Sequence, residues 1–239
     1  MEKKLIVAHR GHHKNCPENT LESFEAAVGA GADRIELDTR KTKDGLFVVH
    51  HDADISGRPL KELTFAELSE IAKGQNFEVP TLEDVLKKNS QKIRFDIELK
   101  EEGYEKEIVS LVKKYLATGD FFVSSFSETI LRKIKELDPK IKTGLLLGKE
   151  NPENLIRTRL QELFPEKRFW SSRADLLIPH WGLIKYGLLL KRLRKDVSVI
   201  VWGVEQEEDI RKLFDEEQVK EIITDEVELA IGIREKLKL

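Results

Sequence analysis

Eight short apolar runs, each followed by an amphipathic helical run, predict one α/β domain over residues 1–239. The expected architecture is a (β/α)8 TIM barrel with a short insertion after the second strand. Two observations favour a closed barrel over an open doubly wound sheet. The strand-like runs are hydrophobic and β-branched, as in a parallel sheet covered by helices. The first strand-to-helix turn, 11–19, lacks a G-x-G-x-x-G run. Titratable residues also collect where the runs end, and in a barrel all those ends face one rim.

The first strand is Leu5–Ala8, too short for a signal-peptide core and running straight into His9. Helix one follows, with Asn19 expected as its N-cap and the Gly29-Ala30-Gly31 break as its end. Strand two covers 35–38, and the turn at Asp44-Gly45 leads into a short extra strand at 47–50. One or two short helices fit 62–88, the last opened by Thr81 with Glu83 and Asp84 behind it. Strand three is 93–99, with a helix over 104–116. Strands at 121–124, 143–147, 176–179, 197–201 and 222–223 follow. Their helices are expected at 128–137, up to about 164, at 183–194, at 207–214 and at 227–236.

The chain carries 41 Lys and Arg against 44 Asp and Glu, a net charge of −3, so no broad cationic surface for nucleic acid is expected. Abundant charge of both signs leans toward a thermophile-like surface. Cys16 is the only cysteine, which excludes an intrachain disulfide and reads as a free structural thiol. No run reaches membrane-spanning length, and a soluble, cytoplasmic protein is expected. Phe164, Phe169 and Trp170 lie near Lys167, Arg168 and Arg173, and the helix at 183–194 is basic. Peripheral membrane contact is the less favoured reading of that cluster, because the helix needs its apolar face for the barrel.

Side chains alternate along a strand, so Glu36 and Asp38 share one face, as do Glu98 and Lys100. Turned inward, three carboxylates meet at the mouth of neighbouring strands and repel unless a cation or proton intervenes. One hard divalent ion, Mg2+ or Ca2+, suits such an all-oxygen set. No His-rich or Cys-rich set for zinc is evident. Arg10 and Lys100 add positive charge fitted to a phosphate and to the dianionic transition state of phosphoryl transfer. His9 and His51 are candidates for proton transfer near neutral pH, with His12, His13 and His50 as their competitors. Ser125 and Phe126 are expected to shape the pocket wall, and Asp225 to cap the last helix. His180 is a less favoured substrate contact. Arg34 and Asp96, two residues before Glu36 and Glu98, are expected to pair one layer below.

The ordered series His9-Arg10-Gly11, Pro17-Glu18-Asn19-Thr20, Gly31-Ala32-Asp33 and Ile35-Glu36-Leu37-Asp38 resembles the glycerophosphodiester phosphodiesterases. The likeness continues through Val48-Val49-His50-His51-Asp52, Ile97-Glu98-Leu99-Lys100, Ser124-Ser125-Phe126, Trp202 and Ile222-Ile223-Thr224-Asp225. The resemblance implies a barrel that hydrolyses glycerophosphodiesters, as small-molecule substrates, to glycerol 3-phosphate and an alcohol. It implies a divalent cation on Glu36, Asp38 and Glu98, His9 and His51 as acid and base, and Arg10 and Lys100 on phosphate oxygens. Trp202 would line the glycerol or leaving-group side. Where the family often has Trp-Thr-Val-Asn, this chain has Trp202-Gly203-Val204-Glu205, which puts Glu205 at a substrate-binding position. The short stretch between His51 and Thr81 implies a small cap with room for larger leaving groups. The alternatives are a lysophospholipase D and a non-catalytic barrel that binds a phospho-ligand.

Overall fold

The computed structural model describes residues 3–148, 162, 164–185, 190 and 193–237. In chain order these form β1 (Leu5–Ala8), α1 (Leu21–Ala30), β2 (Arg34–Lys41), β3 (Phe47–Val49), β4 (Asp54–Ile55) and β5 (Arg58–Pro59). Next come α2 (Phe65–Gly74), α3 (Leu82–Asn89), β6 (Arg94–Leu99), α4 (Glu105–Val112), β7 (Phe121–Ser125), α5 (Glu128–Leu137) and β8 (Lys142–Leu147). The chain continues through α6 (Glu166–Ser172), β9 (Leu176–Pro179), α7 (Trp181–Ile184), β10 (Ser198–Trp202), α8 (Glu207–Asp215), β11 (Val219–Thr224) and α9 (Val227–Leu237).

The parallel strands run β1-β11-β10-β9-β8-β7-β6-β2, and β2 pairs back onto β1, which closes the TIM barrel. Alternation sorts each strand. On β2 and β6, Ile35, Leu37, Phe95, Ile97 and Leu99 face the helices and join the main core. Arg34, Glu36, Asp38, Asp96 and Glu98 take the opposite face, toward the barrel axis. Val7, Phe122, Leu146, Ile178, Ile200 and Ile223, one from each of six strands, fill the interior as a separate cluster. The β2–β6 register sets Glu36 beside Asp96 and Asp38 beside Glu98, so the acids stand in two rows.

Segment 42–81 leaves the barrel as the expected insertion. β3 runs antiparallel on the end of β2, pairing Thr39 with Val49, and β4 and β5 form a small hairpin. Val48, Ile55, Leu60, Leu63, Leu68, Ala72 and Val79 give this segment a core of its own. α2 begins with a capping box in which Thr64 and Glu67 each satisfy the other's backbone N–H.

Several expectations are corrected. Thr20, not Asn19, caps α1: its side chain accepts from the Ser23 N–H at 3.2 Å and Ser23 Oγ accepts from the Thr20 N–H. Asn19 is left-handed, at φ 57°, and its amide is committed elsewhere. α4 ends at Val112, short of the expected 116, because the chain tightens into turns through Tyr115. The last strand runs from Val219, since charged Lys220 and Glu221 hide a strand whose inward face is partly polar. Arg34 does not pair with Asp96. Its Nε and Nη2 donate to the two Glu221 oxygens at 3.0 and 3.4 Å, and Nη1 donates to the Phe95 carbonyl at 2.9 Å. Asp96 instead accepts from Ser124 Oγ at 2.5 Å. Alternation fixes the layer in which an inward charge sits, but the acid that meets it comes from β11, on the far side of β1 and remote in sequence. The helices expected up to 164 and over 183–194 lie largely outside the described residues.

Candidate active site

The strands' C-terminal ends surround a cavity of about 370 Å3 lined by His9, Arg10, Glu36, Arg40, His51, Glu98, Lys100, Phe126 and Trp202, among others. Glu36, Asp38 and Glu98 are buried at its base and offer one oxygen each within 4.8 Å of one another. Lys100 Nζ sits 2.7 Å from Asp38 Oδ1 and 2.7 Å from Glu98 Oε1. Arg10 Nε lies 3.3 Å from Asp38 Oδ2, while its Nη1 donates to Glu18 at 2.8 Å.

Charge decides the protonation. Burial pushes the Glu36 carboxyl well above its ordinary value, and Asp38, Asp96 and Glu98 push it further. Burial also acts upward on Asp38, but Lys100, then Arg10 and His51, outweigh it and hold that group far below the usual carboxylate range. Glu98 is raised by burial, with Lys100 opposing. Three buried carboxylates therefore face two fixed cations, Arg10 and Lys100. A divalent ion would balance the remaining negative charge, so these residues fit a hard, oxygen-ligated cation.

The Arg10 turn is built for this position. Arg10 is left-handed, at φ 51°, and its N–H donates to Glu36 Oε2 at 2.9 Å. Gly11 follows at φ 82°, and a Cβ there would collide with Ser23 Oγ and stand 2.7 Å from the Ser23 backbone carbon. Only glycine fits both the backbone conformation and that close approach. Asn19 closes the loop from behind, donating to Asp38 Oδ2 at 2.8 Å and accepting from the Asp38 N–H at 3.3 Å.

Each cavity histidine is held by its own aspartate. His9 Nδ1 lies 2.8 Å from Asp225 Oδ1, and His51 Nδ1 lies 2.8 Å from Asp52 Oδ1. A carboxylate only accepts, so in both rings Nδ1 carries a proton and Nε2 is left to exchange one with the cavity. His9 Nε2 is 4.0 Å from Glu36 Oε2. Burial, aided by Lys100, lowers the His51 pKa. Arg40 Nε donates to the His51 carbonyl at 2.9 Å and anchors the insertion's contribution to the rim.

The other expected site residues divide. Phe126 and Trp202 line the cavity and meet edge to face at 6.2 Å, and Trp202 Nε1 donates to the Leu147 carbonyl at 2.8 Å. Glu205 is exposed and does not line the cavity. The backbone turns at Gly203, φ 72°, and carries the following residues away from the mouth. His180 packs on Trp202 with ring centres 4.5 Å apart and accepts from the Gly182 N–H at 3.0 Å, a structural rather than a cavity position. Asp225 does not cap α9 but joins His9 and His13. Sequence reading missed Asn19, Arg40 and Asp52 as site residues and read Asp225 as a cap rather than as the partner of His9. Only Asp52, next to His51, carried a local signal. Among the described residues no helix is long and apolar enough to cross a membrane.

Residues 9–229 match the family model described as the Glycerophosphoryl diester phosphodiesterase family. A glycerophosphodiester phosphodiesterase of Caldanaerobacter subterraneus subsp. tengcongensis is 31% identical over 255 residues, covering 98% of this chain and 99% of the relative. The crystal structure of a glycerophosphodiester phosphodiesterase from Thermotoga maritima is 28% identical, with a TM-score of 0.79 over 98% of this chain and 99% of that one. An Oleispira antarctica phosphodiesterase, solved with its product sn-glycerol-3-phosphate, shares the fold at 23% identity, with a TM-score of 0.78 over 97% of this chain and 96% of its own. With the match spanning nearly the whole barrel, this chain belongs to the glycerophosphoryl diester phosphodiesterase family and is an enzyme of that family.

Proposed function

We propose that this chain, as one barrel domain, hydrolyses glycerophosphodiesters to glycerol 3-phosphate and an alcohol, with His9 and His51 exchanging protons beside one divalent cation. The observation that carries this reading is the pair of imidazoles, each fixed through Nδ1 by an aspartate, lining one cavity above three buried carboxylates. The cation, Mg2+ or Ca2+, would be held by Glu36, Asp38 and Glu98 and would supply positive charge to the phosphoryl oxygens.

Arg10 and Lys100 hold the diester phosphate through charge-assisted hydrogen bonds. One imidazole Nε2 accepts the proton of the glycerol 2-hydroxyl as its oxygen bonds to phosphorus. The phosphorus–oxygen bond to the alcohol breaks, and the other imidazole, which enters the step as imidazolium, gives its Nε2 proton to the departing oxygen. Water then adds to the cyclic phosphate with the two roles exchanged, and the bond to the 2-oxygen breaks to release glycerol 3-phosphate. Phe126 and Trp202 form the apolar wall against which the glycerol or the leaving group packs.

The test is a metal-by-substrate matrix on EDTA-stripped protein, read as glycerol phosphate released. Release from glycerophosphocholine that needs added Mg2+ or Ca2+ supports the proposal. A preference for lysophosphatidylcholine would favour a lysophospholipase D. No release from any diester with any cation would leave a phospho-ligand-binding barrel.

A further inference from the structure

The loop that supplies His9 carries a second imidazole with no part in this chemistry. His13 does not line the cavity, but its Nε2 lies 3.1 Å from Asp225 Oδ1, the same oxygen that meets His9 Nδ1 at 2.8 Å. One oxygen and two ring nitrogens, all within 4.8 Å of one another, thus converge at the barrel mouth. Their side chains are 23%, 25% and 35% exposed for His9, His13 and Asp225, so water reaches the cluster. The donor set is two nitrogens and one carboxylate, unlike the three carboxylates at the cavity base.

We propose that His9, His13 and Asp225 form a second, inhibitory metal site selective for zinc-like ions. Zinc takes ring nitrogens and carboxylates at about 2.0–2.1 Å in a tetrahedron, which separates ligand atoms by about 3.3 Å. The two short contacts here need to open by only about half an ångström, and solvent supplies the fourth ligand. Mg2+ and Ca2+ favour the oxygen-only site, whereas first-row transition ions favour this one. The two sites therefore sort cations by ligand chemistry.

Binding has a defined consequence for His9. Zinc on Nδ1 displaces the proton now shared with Asp225, and His13 likewise releases its Nε2 proton. The neutral His9 ring then carries its one proton on Nε2, the nitrogen facing the cavity. That nitrogen no longer accepts a proton from substrate, and turnover stops although the carboxylate site keeps its ion.

The test uses Co2+ as a spectroscopic probe and Zn2+ as inhibitor, both with Mg2+ saturating. Wild type should show visible ligand-field bands saturating at one Co2+ per chain, and Zn2+ should inhibit in a way that more Mg2+ does not reverse. His13→Asn should keep its turnover in Mg2+ alone, lose the Co2+ bands and need roughly tenfold or more Zn2+ for half-inhibition. His13→Gln provides a second variant should the first fold poorly. Superimposable Zn2+ curves for wild type and variant, inhibition relieved by Mg2+, or no Co2+ bands in wild type would each overturn the proposal. The Co2+ titration needs no substrate, so it stands or fails apart from the diesterase reading.

Discussion

Glu221→Ala isolates the ion pair at the barrel floor. The Arg34 side chain is 7% exposed and that of Glu221 11%, and the guanidinium packs 4.7 Å from the Phe122 ring centre. Alanine removes both carboxylate contacts and leaves the Phe95 carbonyl as the remaining hydrogen-bond acceptor for a buried cation. Breaking such a pair costs about 3–5 kcal/mol, mostly the desolvation of the charge left behind. For a chain of this size, that loss corresponds to a fall in Tm of roughly 6–20 °C. The paired replacement Arg34→Met with Glu221→Leu leaves no stranded charge and should cost much less than the single change. Urea denaturation gives both numbers, provided the slope m is unchanged. A single variant within about 1 kcal/mol of wild type, or a double variant worse than the single, would refute the view that the guanidinium depends on Glu221.

Three further outcomes are expected. Glu98→Gln should abolish metal-dependent turnover and weaken calorimetric Mg2+ binding while leaving the circular dichroism spectrum native; full activity after EDTA treatment would remove Glu98 from the metal site. Asp225→Asn should lower kcat by roughly 100-fold with little change in KM, because His9 loses the group that fixes its tautomer. Asp33 ties both ends of the chain together, accepting from Lys3, from the Ile6 N–H and from Arg234. Burial alone would raise its carboxyl, but these three donors outweigh burial and hold it below the ordinary 3.8. Its contribution is therefore complete above that value and is lost as pH falls through the depressed one. Asp33→Asn should cost about 2 kcal/mol near pH 7, and the difference from wild type should close on acidification below about pH 3.8.

The barrel was legible because alternation and strand-to-helix rhythm are local properties. Glu36, Asp38, Glu98 and Lys100 were placed correctly around one base because β2 and β6 are neighbours in register and each strand announces its own inward face. Partners that are close in the ring but remote in sequence were not legible. Arg34 and Glu221 are 187 positions apart, and His9 and Asp225 are 216 apart. Nothing near Arg34 distinguishes Glu221 from the nearer Asp96. Asn19 misled for a different reason: its type suits a helix cap, yet its left-handed backbone turns the amide onto Asp38. Glu205 misled because a strand's direction does not survive the glycine turn after Trp202. The His9–His13–Asp225 cluster escaped notice because two of its members sit in a loop, where no periodicity tells which way a side chain turns.

The insertion's separate core has a consequence for how activity fails. His9 rides on the closed ring of strands, whereas His51 follows β3 and precedes the hairpin whose packing rests on Leu60, Leu63 and Leu68. Two separately packed bodies thus carry the two imidazoles of the proposed proton exchange. Mild denaturant or a small-for-large change at Leu63 should loosen the smaller body first, silencing the enzyme while its staves remain upright. Loss of turnover would then report the undocking of one flap rather than the melting of the whole.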